Sequence, residues 1–481
     1  MTKRMACIVL LFCAVVIPAT AQTFTNLFSF DGEDGSYPLS SLAQGLDGNF
    51  YGTTQLGGSG SSAFCSTGTG CGTAFKLTPE GVLTTLYDFC SQPNCTDGGE
   101  PSGVVLAPNG NFYGTTFGGG AQNRGTVFEV TPSGNLTTLY SFCSQTDCND
   151  GSNPFTGLTL ASDGNLYGAT GYGGASLNNC YAGCVTIFRI SPGGTFTTVY
   201  SFCLQAGCAD GREPVAGLIE ATDGNLYGTT YYGGTQVGWG TAYKITLHGL
   251  LTTLYAFCSQ IVGNNCVDGN LPNGIIQAQN GDFYGTTQGG GTQNDGTVFK
   301  MTATGTLTTL YSFDGSKGRF PEAPLFQATD RNLYGTAASG LPDKFGTLFV
   351  VDANASIIVI HRFDGSDGCC TSSALMQSTN GTLYGTTGGG PQGSVFSLSV
   401  GLSMFVQTVT ASGRIGAHVI ILGNNFSNVT AVSFNGTAAA FTVVSDTEIT
   451  ATVPTGATSG QVTVTTPSGT LTSNKPFRVI P

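Results

Sequence analysis

The chain has 481 residues, a formal net charge of −12 and only 9% charged residues. Its 16 Lys and Arg residues are too few for the basic surface that nucleic acids or anionic membranes require. The low charge also excludes a long helical protein held together by ion pairs, and 40% hydrophobic residues exclude general disorder. With 73 glycines, about twice the ordinary share, the composition indicates a folded, acidic, glycine-rich protein.

Residues 1–21 have the pattern of a secretory signal peptide. Two basic residues precede an apolar run from Met5 to Ile17, and Ala19-Thr20-Ala21 is a cleavage site before Gln22. The run is too short to span a membrane, which takes about 20 apolar residues, and no later stretch is long enough. We therefore expect a protein that is secreted or held at the cell surface, without a transmembrane segment.

Three short signatures recur between residues 24 and 400. The first is [FL]-Tyr-Gly, the second is Gly-Thr-x-Phe, as in GTVFEVT (125–131), and the third is TTLYSF, as at 137–142. The first occurs seven times, with its tyrosine at Tyr51, Tyr113, Tyr167, Tyr227, Tyr284, Tyr334 and Tyr384. Each signature is rich in Thr, Val, Tyr and Phe and is bounded by glycine turns, which is typical of short β-strands. No segment keeps a helical period, so we expect almost no helix.

The order of the signatures predicts a closed ring. The third signature follows six of the seven units, and its missing copy, TNLFSF at 25–30, lies near the N-terminus. Seven units of four antiparallel strands predict an all-β, seven-bladed β-propeller, closed when the N-terminal strand pairs into the last blade. The alternative, an open β-solenoid, would gain nothing from a displaced strand.

The cysteines bracket insertions in the repeat. Fourteen of the 16 follow the signal peptide, and an exported protein meets an oxidising environment. Six pairs enclose loops whose ends must lie close together, which predicts six local disulfides: Cys65 with Cys71, Cys90 with Cys95, Cys143 with Cys148, Cys180 with Cys184, Cys203 with Cys208, and Cys258 with Cys266. Zinc sites are the weaker alternative, because the chain has only three His. The adjacent Cys369 and Cys370 either form a strained vicinal disulfide or stay reduced.

The composition changes where the repeat stops, near Gly401. The rest of the chain, 402–481, is rich in Thr, Val and Ser and alternates apolar and polar residues, which predicts a small antiparallel β-sandwich. Its pattern resembles the IPT/TIG family, and the resemblance implies an immunoglobulin-like fold. The residues that carry it are Gly416, Val419, Ile421, Gly423, Asn425, Phe426, Phe434, Gly436, Ile449, Pro454, Val462, Val464 and Gly469.

The repeated unit, D-G-N-[FL]-Y-G-T-T followed by G-T-x-F and T-T-L-Y-S-F, resembles the GloVer tandem-repeat family of exported bacterial proteins. That resemblance implies repeats followed by varied surface anchors and no established activity. Because no sorting motif or apolar tail follows the last strand, both retention at the surface and secretion stay open. The predicted organisation is a signal peptide (1–21), a propeller (22–401) and an immunoglobulin-like domain (402–481).

Few residues suggest a specific chemistry. The repeated tyrosines could stack on sugars, but their recurrence favours packing between blades. Aspartates follow the third signature and could ligate calcium, best at Phe30–Gly35 and Asp364–Gly368, although no ladder of carboxylates is present. Otherwise we expect no metal and no cofactor. Trp239, the only tryptophan, lies in a glycine-rich loop and is a weak candidate for a binding residue.

These observations favour an exported, non-catalytic binding or adhesion protein. We expect a monomer whose propeller loops recognise an extracellular glycan or protein and not nucleic acid. One alternative is an extracellular glycosidase or lyase, which would need two carboxylates about 5–10 Å apart at the channel mouth. A structural envelope protein is the other alternative. No nucleophile motif appears, and the three histidines are scattered along the chain.

Overall fold

The computed structural model describes residues 22–60, 65, 70–175, 185–214, 216–234, 238–340 and 345–480. The predicted signal peptide, residues 1–21, lies outside this part of the chain. The only helices of the described residues are four 3₁₀ turns of three residues: Pro93–Cys95, Thr146–Cys148, Ala206–Cys208 and Phe426–Asn428. The fold is therefore all-β, as the sequence predicts.

The repeats form seven four-stranded sheets, called sheets I to VII in chain order. They are preceded by β1 (Thr23–Ser29). Sheet I contains β2 (Ala43–Gln44), β3 (Phe50–Thr54), β4 (Thr73–Leu77) and β5 (Leu83–Asp88). Sheet II contains β6 (Gly99–Leu106), β7 (Phe112–Gly118), β8 (Thr126–Val130) and β9 (Leu136–Ser141). Sheet III contains β10 (Thr159–Leu160), β11 (Leu166–Ala169), β12 (Thr186–Ile190) and β13 (Phe196–Ser201).

The remaining sheets of the repeat region follow the same order. Sheet IV contains β14 (Ile219–Glu220), β15 (Leu226–Thr230), β16 (Thr241–Ile245) and β17 (Leu251–Ala256), and a small hairpin, β18 (Ile261–Val262) and β19 (Asn265–Cys266), follows it. Sheet V contains β20 (Asn270–Gln277), β21 (Phe283–Gly289), β22 (Thr297–Met301) and β23 (Leu307–Ser312). Sheet VI contains β24 (Phe326–Gln327), β25 (Leu333–Ala337), β26 (Thr347–Val351) and β27 (Ile357–Arg362). Sheet VII contains β28 (Met376–Gln377), β29 (Leu383–Thr387) and β30 (Ser394–Ser399), together with β1.

The glycine of each Tyr-Gly signature is required by packing. In sheet II the ring of Phe128, from the second signature, lies over Gly114, and a Cβ there would approach the ring to 2.5 Å. Gly285 in sheet V meets the ring of Phe299 at the same distance. The two signatures therefore recur together because the aromatic ring of one strand occupies the space that the glycine of its neighbour leaves free.

A buried threonine pair links the same two strands. The hydroxyls of Thr116 and Thr126 are hydrogen-bonded at 2.9 Å, and Thr116 Oγ1 also accepts a bond from the backbone N–H of Thr126. The equivalent pair in sheet IV, Thr230 and Thr241, has a distance of 2.8 Å. These contacts satisfy hydroxyls that would otherwise be buried at a cost in free energy.

Clusters of buried side chains lie between successive sheets. Tyr113 and Val127 of sheet II, for example, pack with Leu166 and Ile190 of sheet III. Each of the six successive pairs shares such a cluster, and a seventh joins sheet VII to sheet I. Sheets VII and I are also hydrogen-bonded, because the Gln44 amide donates to the Thr379 hydroxyl at 3.0 Å and accepts from its backbone N–H.

Strand β1 completes sheet VII, as its displaced signature predicts. It pairs antiparallel with β30, so that Phe28 lies opposite Val395 and Asn26 opposite Phe396, with a bulge at the residue between them. The ring of Phe24 stacks on His361 of sheet VI at 3.8 Å and on Phe396 at 5.2 Å. The first strand of the described chain therefore holds the last two sheets of the repeat together.

The C-terminal region consists of two further four-stranded sheets around one core. One sheet contains β31 (Gln407–Thr408), β33 (His418–Leu422), β37 (Glu448–Thr452) and β36 (Phe441–Val443). The other contains β35 (Thr437–Ala439), β34 (Ala431–Phe434), β38 (Val462–Thr466) and β39 (Gly469–Thr472). The short strands β32 (Ser412–Arg414) and β40 (Arg478–Ile480) pair in parallel beside them. Phe426, Phe434 and Phe477 are fully buried in the shared core.

The contacts of β1 predict that Phe24→Ala destabilises the protein. The substitution removes a partly buried ring from the junction of β1 with sheets VI and VII, and we expect a loss of about 2 kcal/mol in the free energy of unfolding. Val82→Ala, at a side chain 62% exposed, is the control and should change it by less than about 0.5 kcal/mol. Denaturant titration followed by circular dichroism measures both, and equal midpoints for the two variants would contradict the role of β1.

Candidate functional site

The antiparallel strands divide the connections of the repeat region between two sides. Turns between the first and second strands, and between the third and fourth, lie on one side, here called the turn side. The longer connections between the second and third strands, and from each sheet to the next, lie on the other, here called the loop side. The insertions bracketed by cysteines in the described residues belong to the loop side.

The C-terminal region occupies the turn side. Arg478 forms an ion pair with Glu220 at 3.0 Å and donates to the Ser162 hydroxyl at 2.6 Å. The Thr447 hydroxyl donates to the carbonyl oxygen of Leu46 at 2.6 Å, and the amide of Gln279 donates to the carbonyl oxygen of Asn474 at 2.7 Å. These contacts involve sheets I, III, IV and V, so the loop side is the side that the C-terminal region leaves uncovered.

Disulfides close the loop-side insertions. Five of the six predicted pairs are joined: Cys65 with Cys71, Cys90 with Cys95, Cys143 with Cys148, Cys203 with Cys208, and Cys258 with Cys266. The remaining prediction, Cys180 with Cys184, lies outside the described residues. The sulfurs of Cys369 and Cys370 are 2.8 Å apart and are not joined.

A buried aspartate supports each of four disulfide loops. Asp150 accepts hydrogen bonds from the Tyr140 hydroxyl at 2.7 Å, from the backbone N–H and the hydroxyl of Ser144, and from the backbone N–H of Gln145. Burial, followed by the nearby carboxylate, raises the pKa of Tyr140 to about 12. The equivalent aspartates are Asp97, Asp210 and Asp268, each bonded to the tyrosine of the third signature. These aspartates therefore act as structural supports of the loops.

In the two segments that the sequence suggested for calcium, the aspartates also form hydrogen bonds within their own turns. Asp31 accepts from the backbone N–H groups of Glu33 and Asp34, and Asp34 accepts in return from the N–H of Asp31. Asp364 and Asp367 repeat this exchange, and Asp367 also contacts His361 at 2.8 Å. In the described part of the chain, the only three potential metal ligands that lie close together are Cys65, Cys71 and Cys90, all in disulfides.

A ring of seven residues in left-handed backbone conformation lies on the loop side, one per sheet. Six of them precede proline, and six donate their backbone N–H to a carbonyl oxygen of the preceding sheet, as Glu100 does to Cys71 at 2.8 Å. The seven residues are Tyr37, Glu100, Asn153, Glu213, Leu271, Phe320 and Cys370. These seven residues were not among those predicted from the sequence, although Asp-Gly-x-x-Pro recurs around them in several units.

Exposed aromatic rings are concentrated on the loop side. Every aromatic side chain among the exposed large hydrophobic residues of the described chain belongs to this side: Tyr37, Phe155, Tyr172, Trp239 and Phe345, with exposed fractions of 41%, 44%, 37%, 37% and 39%. Phe155 contacts Phe117 and Tyr172 through ring centroids 4.8 and 5.9 Å apart. Trp239 is thus exposed, as the sequence allowed, but it is one of several such rings.

Cationic and acidic groups lie among these rings. The Arg212 guanidinium lies 5.2 Å from the ring centre of Tyr232, and that of Arg319 lies 4.5 Å from Phe320. Burial, together with Tyr232, Glu322 and Glu213, raises the pKa of Tyr231 to about 12. Such a mixture of aromatic faces, cations and carboxylates suits recognition of a polar ligand.

Glu220, His361 and His418 each have partners within the protein. Glu220, a carboxylate on a first strand of a sheet, is already bound by Arg478 and by the backbone N–H of Ser162. His361 stacks on Phe24 and contacts Asp367, whereas His418 lies in the C-terminal region near Thr452. Six of the seven repeated tyrosines are buried between sheets, and Tyr284 is partly buried.

The Gloeobacter/Verrucomicrobia repeat matches residues 60–269 and 259–444. The chain belongs to this family. The second match extends beyond β30 into the C-terminal region. No curated protein matches the sequence.

Two solved structures from B. thetaiotaomicron share the fold. One is described as the extracellular domain of the hybrid two-component system BT3049, with a TM-score of 0.50, 14% identity, and coverage of 94% of this chain and 54% of that one. The other, the extracellular domain of BT4673, has a TM-score of 0.51, 11% identity, and coverage of 96% and 60%. At this identity the likeness shows a β-propeller-like fold alone, and this chain spans little more than half the length of either structure.

No described helix is long and apolar enough to cross a membrane.

The buried aspartates predict an effect of Asp150→Asn on stability. The new amide cannot accept all the hydrogen bonds that the carboxylate accepts, and we expect a loss of about 2 kcal/mol in the free energy of unfolding. Asp147→Asn makes the same chemical change at an exposed position of the same loop and should have little effect. Thermal unfolding of both variants tests this, and a stable Asp150→Asn variant would exclude the supporting role.

The tyrosines predict a loss of stability at alkaline pH. Tyr113, Tyr140, Tyr231 and Tyr255 have pKa values raised to about 12, mainly by burial, against about 10 in an unfolded chain. Their contribution is complete below pH ~10 and is lost as the pH rises towards ~12, because only the unfolded state then releases these protons. Denaturant midpoints across this range should fall, and a flat profile would contradict the burial of the hydroxyls.

Proposed function

We propose that the protein is an exported, non-catalytic binding or adhesion protein whose loop side recognises an extracellular glycan or protein. The observation that carries this proposal is the confinement of the exposed aromatic rings to the side that the C-terminal region leaves uncovered. Aromatic rings supply contact area at low entropic cost and stack on the apolar faces of sugars. Among the two ligand classes, the mixture of rings, Arg212, Arg319 and nearby carboxylates favours a glycan.

The proposed architecture is a seven-bladed β-propeller closed by β1. Its support is the cluster of buried side chains between sheets VII and I, together with the hydrogen bonds of Gln44 to Thr379. In such a ring the loops of all seven sheets converge on one surface, which gives a single broad contact area. We propose a signal peptide at residues 1–21, the propeller at 22–401 and a C-terminal domain at 402–481.

We also propose that the C-terminal domain is an immunoglobulin-like module of the IPT/TIG type. Several residues that carry the sequence resemblance are buried in its common core, including Val419, Ile421, Phe426, Phe434 and Ile449. Its position on the turn side gives it a role in presenting the propeller, because the loop side then faces away from it.

The seven loop-side residues in left-handed conformation support the choice of the loop side as the binding surface. A non-glycine residue with positive φ costs roughly 1 kcal/mol or more, and glycine would remove that cost. The chain nevertheless places side chains of six different types at these seven positions, including Tyr37, Phe320 and Glu100. Positive φ recurs in all seven sheets while the side chains differ, so we infer that the side chains among them that reach the surface, such as Tyr37, are used for contact.

The proposal predicts that binding depends on loop-side rings. A glycan array with the folded protein should give a defined set of ligands, and the double variant Phe155→Ala/Tyr172→Ala should weaken their binding by about tenfold or more. The control is Val82→Ala/Leu250→Ala, which removes two exposed side chains of the turn side and should bind normally. A reaction product released from any bound glycan would favour the alternative of a glycosidase or lyase.

Two further outcomes distinguish the remaining alternatives. Absence of binding to glycans together with capture of a defined extracellular protein, lost in Phe155→Ala/Tyr172→Ala, would identify the partner as a protein. Equal behaviour of the loop-side and turn-side variants with every ligand would reject the loop side as the binding surface and favour a structural envelope protein.

A further inference from the structure

Cys369 and Cys370 are the two cysteines of the described chain that are not in disulfides. They lie in the loop-side connection from sheet VI to sheet VII, where Cys370 has the left-handed conformation with a φ of 57°. In the other six sheets the residue in this conformation is followed by proline, whose φ is fixed, but Thr371 follows Cys370. The one unit without this proline is therefore the unit with two adjacent cysteines.

The surrounding backbone brings the two thiols together. Their sulfurs are 2.8 Å apart, which is shorter than the contact distance of non-bonded atoms, about 3.5 Å or more. A Cβ on Gly389 would overlap with Sγ of Cys369 and approach Sγ of Cys370 to 3.1 Å, so this glycine leaves the space that both sulfurs occupy. The N–H of Gly389 donates to the carbonyl oxygen of Cys369 at 3.1 Å, and the N–H of Cys370 donates to that of Phe345 at 3.2 Å.

The pair is accessible, unlike most of the disulfides. Cys370 is exposed and Cys369 is partly exposed. Eight of the ten cysteines in the disulfides of the described chain are buried, and the other two, Cys143 and Cys148, are partly exposed. A soluble thiol or disulfide therefore reaches Cys370 more readily than it reaches the sulfurs of the loop disulfides.

A bond between adjacent cysteines is also more strained than the bonds of the loops. Consecutive Cα atoms are about 3.8 Å apart across a trans peptide, whereas disulfides usually join Cα atoms roughly 4.4 to 6.8 Å apart. The five loop disulfides join cysteines five to eight positions apart in the sequence. Because strained and exposed disulfides are reduced more easily than relaxed and buried ones, a bond between Cys369 and Cys370 would be the most easily broken of the six.

From this arrangement we propose that Cys369 and Cys370 form a reversible redox site, which a small disulfide oxidises to a vicinal disulfide and a small thiol reduces again. In the oxidation, one thiolate attacks a sulfur of the small disulfide, breaks its S–S bond and releases one thiol. The second cysteine then loses its proton, attacks the mixed disulfide and releases the other thiol. The two cysteines lose two electrons and two protons, which the two released thiols carry away. The site does not depend on the loop-side binding proposal, because thiol content alone defines both states.

Equilibration of residues 22–481 with mixtures of reduced and oxidised glutathione tests the proposal. Free thiols are blocked with N-ethylmaleimide, and mass spectrometry of the peptide that contains Cys369 and Cys370 counts them. We expect this pair to be half-reduced at a ratio [GSH]²/[GSSG] at least about tenfold lower than the ratio that half-reduces any of the five loop disulfides.

Single substitutions test the exchange step. Cys370→Ser should retain glutathione as a stable mixed disulfide on Cys369, because the cysteine that releases it is missing, whereas the unsubstituted protein should release it. If Cys370→Ser does not fold, Cys369→Ser gives the same readout on Cys370. Ser152→Ala, at the bridge position in sheet III that corresponds to Cys369, is the matched control and should leave the midpoint ratio unchanged.

Three results would overturn the proposal. Both thiols could stay free at every glutathione ratio, which would exclude the vicinal disulfide. A bond that resists reduction as long as the loop disulfides do would exclude a reversible site. A bond from either cysteine to another cysteine of the chain, or to a second molecule of the protein, would exclude the pairing.

Discussion

The structure depends on the burial of both faces of each small sheet. The second strands are buried at nearly every residue, and Phe50–Thr54 at all five, so a single four-stranded sheet exposes two apolar faces until neighbours cover them. Internal sheets gain both neighbours from the repeat itself. The two end sheets have one open face each, and the cluster between sheets VII and I removes both at once. Strand β1 also protects sheet VII, because it covers the free edge of β30.

The residues of the repeated motifs make the structural contacts, and the side chains that vary between sheets lie outside these motifs. The glycine and aromatic residues of the first two signatures fit one another across neighbouring strands, and the threonine pair satisfies its own hydroxyls. The aspartate after the third signature fixes the following loop through the tyrosine hydroxyl. Because these contacts lie within or beneath the sheets, the side chains at the loop surface are free to differ from one sheet to the next.

The two sides of the repeat region consequently differ in the features that they carry. The turn side has short turns with hydrogen-bonded aspartates and asparagines, and it supports the C-terminal region through contacts from several sheets. The loop side has the disulfides, the seven residues in left-handed backbone conformation and the exposed aromatic side chains. Between the repeat region and the C-terminal region, the packing of two surfaces leaves a cavity of about 340 Å³.

The sequence by itself determined the all-β class, the seven units and the pairing of β1 with β30, because these follow from local patterns that repeat and from one displaced copy. It also placed five cysteine pairs correctly, since the ends of short insertions must meet. Only the tertiary structure decided which side of the repeat carries the exposed aromatic rings and which side the C-terminal region covers. These features depend on contacts between residues far apart in the chain, such as Ser162 and Arg478, which no local sequence pattern encodes. The left-handed conformation of Glu100 and Phe320 is set by the hydrogen bond to the neighbouring sheet and not by either residue's own preference, so only the recurring Gly-x-x-Pro around them marks it in the sequence.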